Sequence, residues 1–174
     1  MTGNVIRSGA VFVIAALAAC ASTPPIQSPT AQEEAPPRDV IAEVRAAASA
    51  ANDGIDVTPL RDPLVADLWE AALRHEAERA FDQAEAALDR ALELIPDDPE
   101  LIQWRAELAL VQGRFDDAVR WANASWEKGP RLGGLCRRNW TTIRIARELT
   151  GFPDAAVAAG RQVERCTVEP PVRM

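Results

Sequence analysis

Apolar residues follow two patterns along this chain. From Ala10 to Ala19 they run unbroken. At about ten residues, that run is too short to cross a bilayer as a helix, which takes about 20. From Asp39 onward, apolar positions recur three and four apart, the spacing of one helical face. Asp39 stands where it N-caps a helix with Val40, Val44, Ala47 and Ala51 along one side. Residues 21–37 separate the two regimes. They are rich in proline, carry adjacent glutamates and lack aromatics, which predicts a disordered tether. Asn52-Asp53-Gly54 reads as a helix stop, and Pro59 and Pro63 punctuate the connector that follows. Asp62-Pro63 predicts an N-cap and first-turn proline, and Asp98-Pro99 repeats that pair.

The domain also resembles itself. An offset of about 34 residues superposes Ala72 on Ala106, Phe81 on Phe115, Asp82 on Asp116, Ala84 on Ala118, Ala91 on Ser125 and Pro96 on Pro130. Small residues recur where helices must cross closely, an aromatic recurs at the turn, and proline recurs where the second helix must stop. A generic helical bundle with an accidental period is the competing reading. The period and pattern resemble the tetratricopeptide repeat (TPR), a helix–turn–helix unit. Trp140-Thr141-Thr142-Ile143 resembles the opening of a third, divergent unit, and Gly151-Phe152-Pro153-Asp154-Ala155-Ala156 resembles its turn and second helix. Pro130 to Gly151 is about four residues longer than Pro96 to Gly113, so the third unit holds either a longer loop or an added helical turn.

The resemblance implies an all-α, TPR-like solenoid of about three repeats at 65–98, 99–132 and 133–167, within a domain spanning 63–167. A helix and connector at 38–62 precede it, and residues 168–174 form a tail. The N-terminal helix is expected to cover one end. The other end would then lie open to homodimerisation or partner docking.

The N-terminus adds an address. A single early charge, Arg7, precedes the apolar run, the signature of a signal peptide over residues 1–19. Leu17-Ala18-Ala19-Cys20 resembles the bacterial lipobox. That resemblance implies cleavage before Cys20 and lipidation of its sulfur and new amino group. A conventional signal peptide with a chance cysteine is the plainer alternative. Ala21, rather than aspartate, follows the cysteine, which by the same resemblance favours the outer membrane, facing the periplasm. Two or more acyl chains hold a protein to a bilayer firmly. The tether reaches roughly 20–25 Å from the lipid surface.

Composition narrows the chemistry. The 174 residues carry 19 basic and 26 acidic side chains, a net charge of −7, which argues against nucleic acid as a partner. Basic side chains outnumber acidic ones only from Pro130 onward, a split that could orient a partner. There is one histidine, His75, and no tyrosine. No P-loop, Ser-His-Asp order or metal-ligand pair appears, so no catalytic residue, metal or cofactor is expected. On the first repeat His75 falls at a packing position. Cys136 and Cys166 remain as an even pair in an oxidising compartment. They fall near opposite ends of an antiparallel helix pair, which makes those ends neighbours. A disulfide there closes about 30 residues and contributes roughly 3–4 kcal/mol by the chain-entropy model.

In TPR proteins the first helices line a concave groove. By that resemblance the groove is expected to include Trp69, Leu73 and Glu76 in repeat one, and Gln103, Trp104 and Glu107 in repeat two. In repeat three it falls among Arg137, Arg138, Thr141, Arg144 and Ile145, with Arg137, Thr141 and Arg144 favoured. The Lys/Asn carboxylate clamp of well-known TPR pockets is replaced here by Trp69, Leu73, Gln103 and Glu107. Tryptophans are frequent interface anchors, but Trp126 and Trp140 fall at core positions. The expected function is a membrane-anchored, non-catalytic adaptor binding a peptide or helix of an envelope protein. The alternative is a module for peptidoglycan or cell-wall fragments.

Overall fold

Helices begin where the sequence supplies caps. Asp39 accepts a hydrogen bond from Ala42 N at 2.9 Å. Asp62 accepts from Leu64 N at 2.9 Å, and Asp98 from Glu100 N and Leu101 N at 2.8 and 3.1 Å. Each satisfies donors that a helix N-terminus leaves open, and the proline after Asp62 and Asp98 has no donor to lose. The computed structural model describes residues 38–49 and 61–167. The signal peptide, Cys20, the tether through 37, Ala51, Asn52-Asp53-Gly54, Pro59 and the tail 168–174 lie outside these residues. The described residues form α1 (Val40–Ser49), α2 (Pro63–Ala77), α3 (Phe81–Leu94), α4 (Pro99–Val111), α5 (Phe115–Lys128), α6 (Gly133–Leu149) and α7 (Pro153–Arg165).

Three helix pairs stack in order: α2–α3, α4–α5 and α6–α7. Each pair turns through one left-handed residue: Arg79 (φ 57°), Gly113 (φ 74°) and Gly151 (φ 77°). The next amide then bonds back across the turn: Ala80 N to His75 O at 2.8 Å, Arg114 N to Ala109 O at 2.9 Å and Phe152 N to Arg147 O at 2.9 Å. The chain therefore closes all three pairs alike. The small residues of the repeat, Ala72, Ala84, Ala106, Ala118, Ala146 and Ala156, are buried at the crossings. Central α4 is covered all round, with every residue from Leu101 to Leu110 buried. Leu101, Trp104 and Leu108 join a cluster with α2 and α3, whereas Ala106, Ala109 and Leu110 join one with α1, α5, α6 and α7.

The third pair resolves the choice between loop and helical turn. Helix α6 has 17 residues and α4 has 13, so the extra length is helix. Gly133 N donates to Cys166 O at 2.7 Å, and Cys136 and Cys166 form a disulfide with Cα atoms 5.6 Å apart. These contacts tie the start of α6 to the end of α7. Trp126 and Trp140 meet edge to face with ring centroids 5.4 Å apart, packing α5 on α6.

One expectation is corrected. Helix α1 does not cover an end of the stack; it packs on α4 and α6, across the face formed by the first helices. Its apolar stripe is narrow, Val40 and Val44 being its buried residues. A narrow stripe suits the furrow between two helices better than the broad side of a terminal pair. Burying each valine is worth about 1.5–3 kcal/mol. Gly134 faces Ala48, where a Cβ on the glycine would lie 3.5 Å from the alanine Cβ. At that spacing a Cβ would make ordinary van der Waals contact, so the end of α1 lies close to α6 without requiring a glycine here.

Candidate functional site

The residues expected to line the groove share one face of α2, α4 and α6, and α1 lies along part of that face. Arg45 joins three helices. Its Nη1 and Nη2 donate to Glu76 Oε1 and Oε2 at 2.7 and 2.9 Å, and its Nε donates to Glu107 Oε2 at 3.0 Å. Glu107 is fully buried. Its other oxygen, Oε1, accepts from Arg138 Nε at 2.8 Å and Gln103 Nε2 at 3.1 Å. Gln103 Nε2 also donates to Thr142 Oγ1 at 2.8 Å, and Trp104 Nε1 donates to Glu76. A carboxylate this deep is tolerable only because charged donors surround it. Burial works to lower the Arg45 pKa, but its hydrogen bond to Glu76 and the charges of Glu107 and Glu76 outweigh it and raise it.

Helix α6 holds both ends of α1. Arg137 donates from Nε to Ala47 O at 2.9 Å and from Nη2 to Ala48 O at 2.7 Å, capping the C-terminal carbonyls of α1. At the other end, Glu43 accepts from Arg38 Nε at 2.7 Å and Arg144 Nη2 at 2.6 Å. Arg38 also reaches Glu148 at 3.0 Å. The hydrogen bond from Arg38, joined by that from Arg144 and opposed by burial, holds the Glu43 carboxyl down at about 2.

The groove is therefore less open than its sequence suggests. Gln103, Trp104, Glu107, Arg137 and Thr141 are buried, and Glu76 and Arg144 are half-buried. Among the described residues the α2 side is the more accessible: Trp69 is half-buried and Leu73 is 45% exposed. There a cleft of about 220 Å³ remains, lined by Arg45, Ala48, Trp69, Leu73, Trp104 and Arg138. Trp69 and Trp104 meet edge to face at 4.7 Å, and the Arg61 guanidinium lies over the Trp69 ring at 3.9 Å. Arg138 was one of several candidates on α6. Arg45 and Ala48 went unanticipated, because nothing in the α1 sequence says which helices it will meet. Lone Arg45, one residue past Val44 and so at the edge of the apolar stripe, was the available signal.

His75 lies on the flank of α2, its Nδ1 4.0 Å from Glu78. Among the described residues no group of three His, Cys, Asp or Glu is placed to hold a metal, and no helix is long and apolar enough to cross a membrane.

Comparison with known proteins agrees with this architecture. The tetratricopeptide-repeat family profile matches residues 76–131, from the end of α2 through α5. The solved globular C-terminal domain of P. aeruginosa LpoP has the same fold, with a TM-score of 0.56 at 24% identity, over 60% of this chain and 99% of that one. No curated protein matches the chain by sequence. The described residues thus have a TPR-like all-α fold. Its third pair, with the lengthened α6, lies beyond the profile match.

Proposed function

We propose that this protein is a non-catalytic adaptor of the bacterial cell envelope. Lipid on Cys20 holds it to the membrane, most simply the outer membrane, with its domain in the periplasm. A peptide or helix of another envelope protein docks on the first-helix face. The observation that carries this reading is the cleft between α2 and the end of α1, where Leu73 is exposed beside a half-buried Trp69 on a face that α1 partly covers. An aromatic and aliphatic pocket beside charged side chains is the usual anchor of a protein interface. A glycan fits it less well, since sugar recognition needs an uncovered ring and Trp69 lies under Arg61 and against Trp104. The tether raises the local concentration of the domain at the membrane.

The test is a photo-cross-linking amino acid at position 73, used in living cells. A discrete adduct with one envelope protein, lost on Trp69→Ala, is the expected result. No adduct, or adducts only with other copies of this chain, overturns the reading, and co-sedimentation with purified sacculi instead would favour the cell-wall ligand.

A further inference from the structure

The floor beneath α1 is polar. Gln103 and Glu107 of α4 and Thr141 and Thr142 of α6 are all buried, although they belong to a face rather than a core. Thr141 lies on the same stripe of α6 as Arg137 and Arg144, both of which grip α1. Two of the floor's polar atoms, Gln103 Oε1 and Thr141 Oγ1, are buried without a hydrogen-bond partner among the described residues. Native interiors rarely leave such groups unpaired. Uncovering this floor returns them to water, so releasing α1 costs less than exposing an apolar core of the same area.

What α1 brings to the floor is a short code. Val40 and Val44 enter the furrow, Glu43 meets Arg144, Arg45 meets Glu76 and Glu107, and the helix end meets Arg137. A ten-residue helix is marginal by itself. The furrow supplies its order.

We infer that the α4–α6 furrow is a helix-binding seat whose resident occupant is α1, and that the external partner is a helix of the same chemistry. That helix carries two aliphatic residues four apart, with an acidic residue immediately before the second and an arginine or lysine immediately after it. It exchanges with α1, so the adaptor carries its own competitor. This inference rests on the adaptor reading and gives its partner a chemical identity.

The probe is a fluorescein-labelled peptide of residues 38–49, titrated into the full chain. In the native chain α1 competes at the high effective concentration of a tethered group. Val44→Asp in the chain weakens that competitor. The peptide should then bind the variant at least about tenfold more tightly than the native chain. A peptide carrying Arg45→Glu should lose at least about tenfold in affinity for that variant. Equal binding to both chains, or equal binding of both peptides, overturns the inference.

Hydrogen exchange on the native full chain gives a second reading that needs no variant. The amides of α1 should exchange through a local opening that leaves α4 and α5 protected. Exchange of α1 only together with α4 overturns the inference. The Leu73 cross-link is independent of both readouts. If the peptide fails while the cross-link stands, the helix seat falls and the adaptor remains. If the cross-link fails while the peptide exchanges, the external helix falls with the adaptor reading and only the exchange of α1 stands.

Discussion

A single residue interrupts the regularity of the turns. Gly113 and Gly151 take the left-handed conformation that closes their helix pairs, and Arg79 takes it in the first pair. A side chain in that region costs about 1–2 kcal/mol, whereas glycine gives back about 0.5–1 kcal/mol in backbone entropy. Arg79→Gly is therefore expected to stabilise the fold by about 0.5–1 kcal/mol, the difference between those two terms. The gain falls toward the lower value if the Arg79–Phe81 ring contact, at 5.3 Å, contributes. Urea unfolding at constant m-value checks it, and a destabilised variant would show that the ring contact outweighs the backbone term. Other positions were legible at this scale for the same physical reason. Ala72, Ala84, Ala106 and Ala118 can recur only where helices touch, and all are buried. Glu107 was not legible in that way. Its position on the first-helix face followed from the repeat, but its burial depends on Arg45, which lies on a helix outside the repeat.

At the scale of the element, periodicity identifies helices and their apolar faces but leaves undetermined what a face outside the repeat will meet. Helix α1 shows the limit: Val40 and Val44 mark its inner side, while its docking on α4 and α6 is decided by partners far along the chain. The added turn of α6 is visible in the sequence as surplus length, and the structure makes it helix, with α6 running from Gly133 to Leu149 after the Pro130 stop. The charged anchor of α1 makes its docking sensitive to acid. The Glu43 carboxyl, held at about 2 against an ordinary 4.5, lies between Arg38 and Arg144, with Glu148 nearby. A carboxyl depressed in the folded state stabilises it fully above its unfolded pKa, and that contribution disappears as pH falls toward the folded value. Protection of the α1 amides should therefore decline between about pH 4.5 and pH 2, ahead of α4. Glu43→Gln should remove most of that decline. Unchanged protection across the window in the native chain would mean that the valines, Arg45 and the Arg137 cap hold the helix without Glu43.

At the scale of the whole molecule, the first-helix face and the disulfide are coupled through α6. Stability in a repeat stack is a sum of units and nearest-neighbour contacts, so a terminal pair has one neighbour fewer to hold it. The α6–α7 pair compensates with the Cys136–Cys166 bond, which closes its two ends. The same α6 carries Arg137 and Arg144, the residues that hold α1 at its two ends. Loss of the bond should therefore be felt at the groove as well as at α7. Reduction, or Cys136→Ala with Cys166→Ala, is expected to cost roughly 3–4 kcal/mol for a loop of this length. Exchange protection should then fall in α7, α6 and α1 together, while α2–α3 changes little, because the loss propagates only through adjoining interfaces. Mass-spectrometric hydrogen exchange on the oxidised and reduced full chain resolves these helices separately. If α1 kept its protection while α6 and α7 lost theirs, α4 would be its true anchor. The cleft at Trp69 and Leu73 would then be insulated from the redox state of the domain.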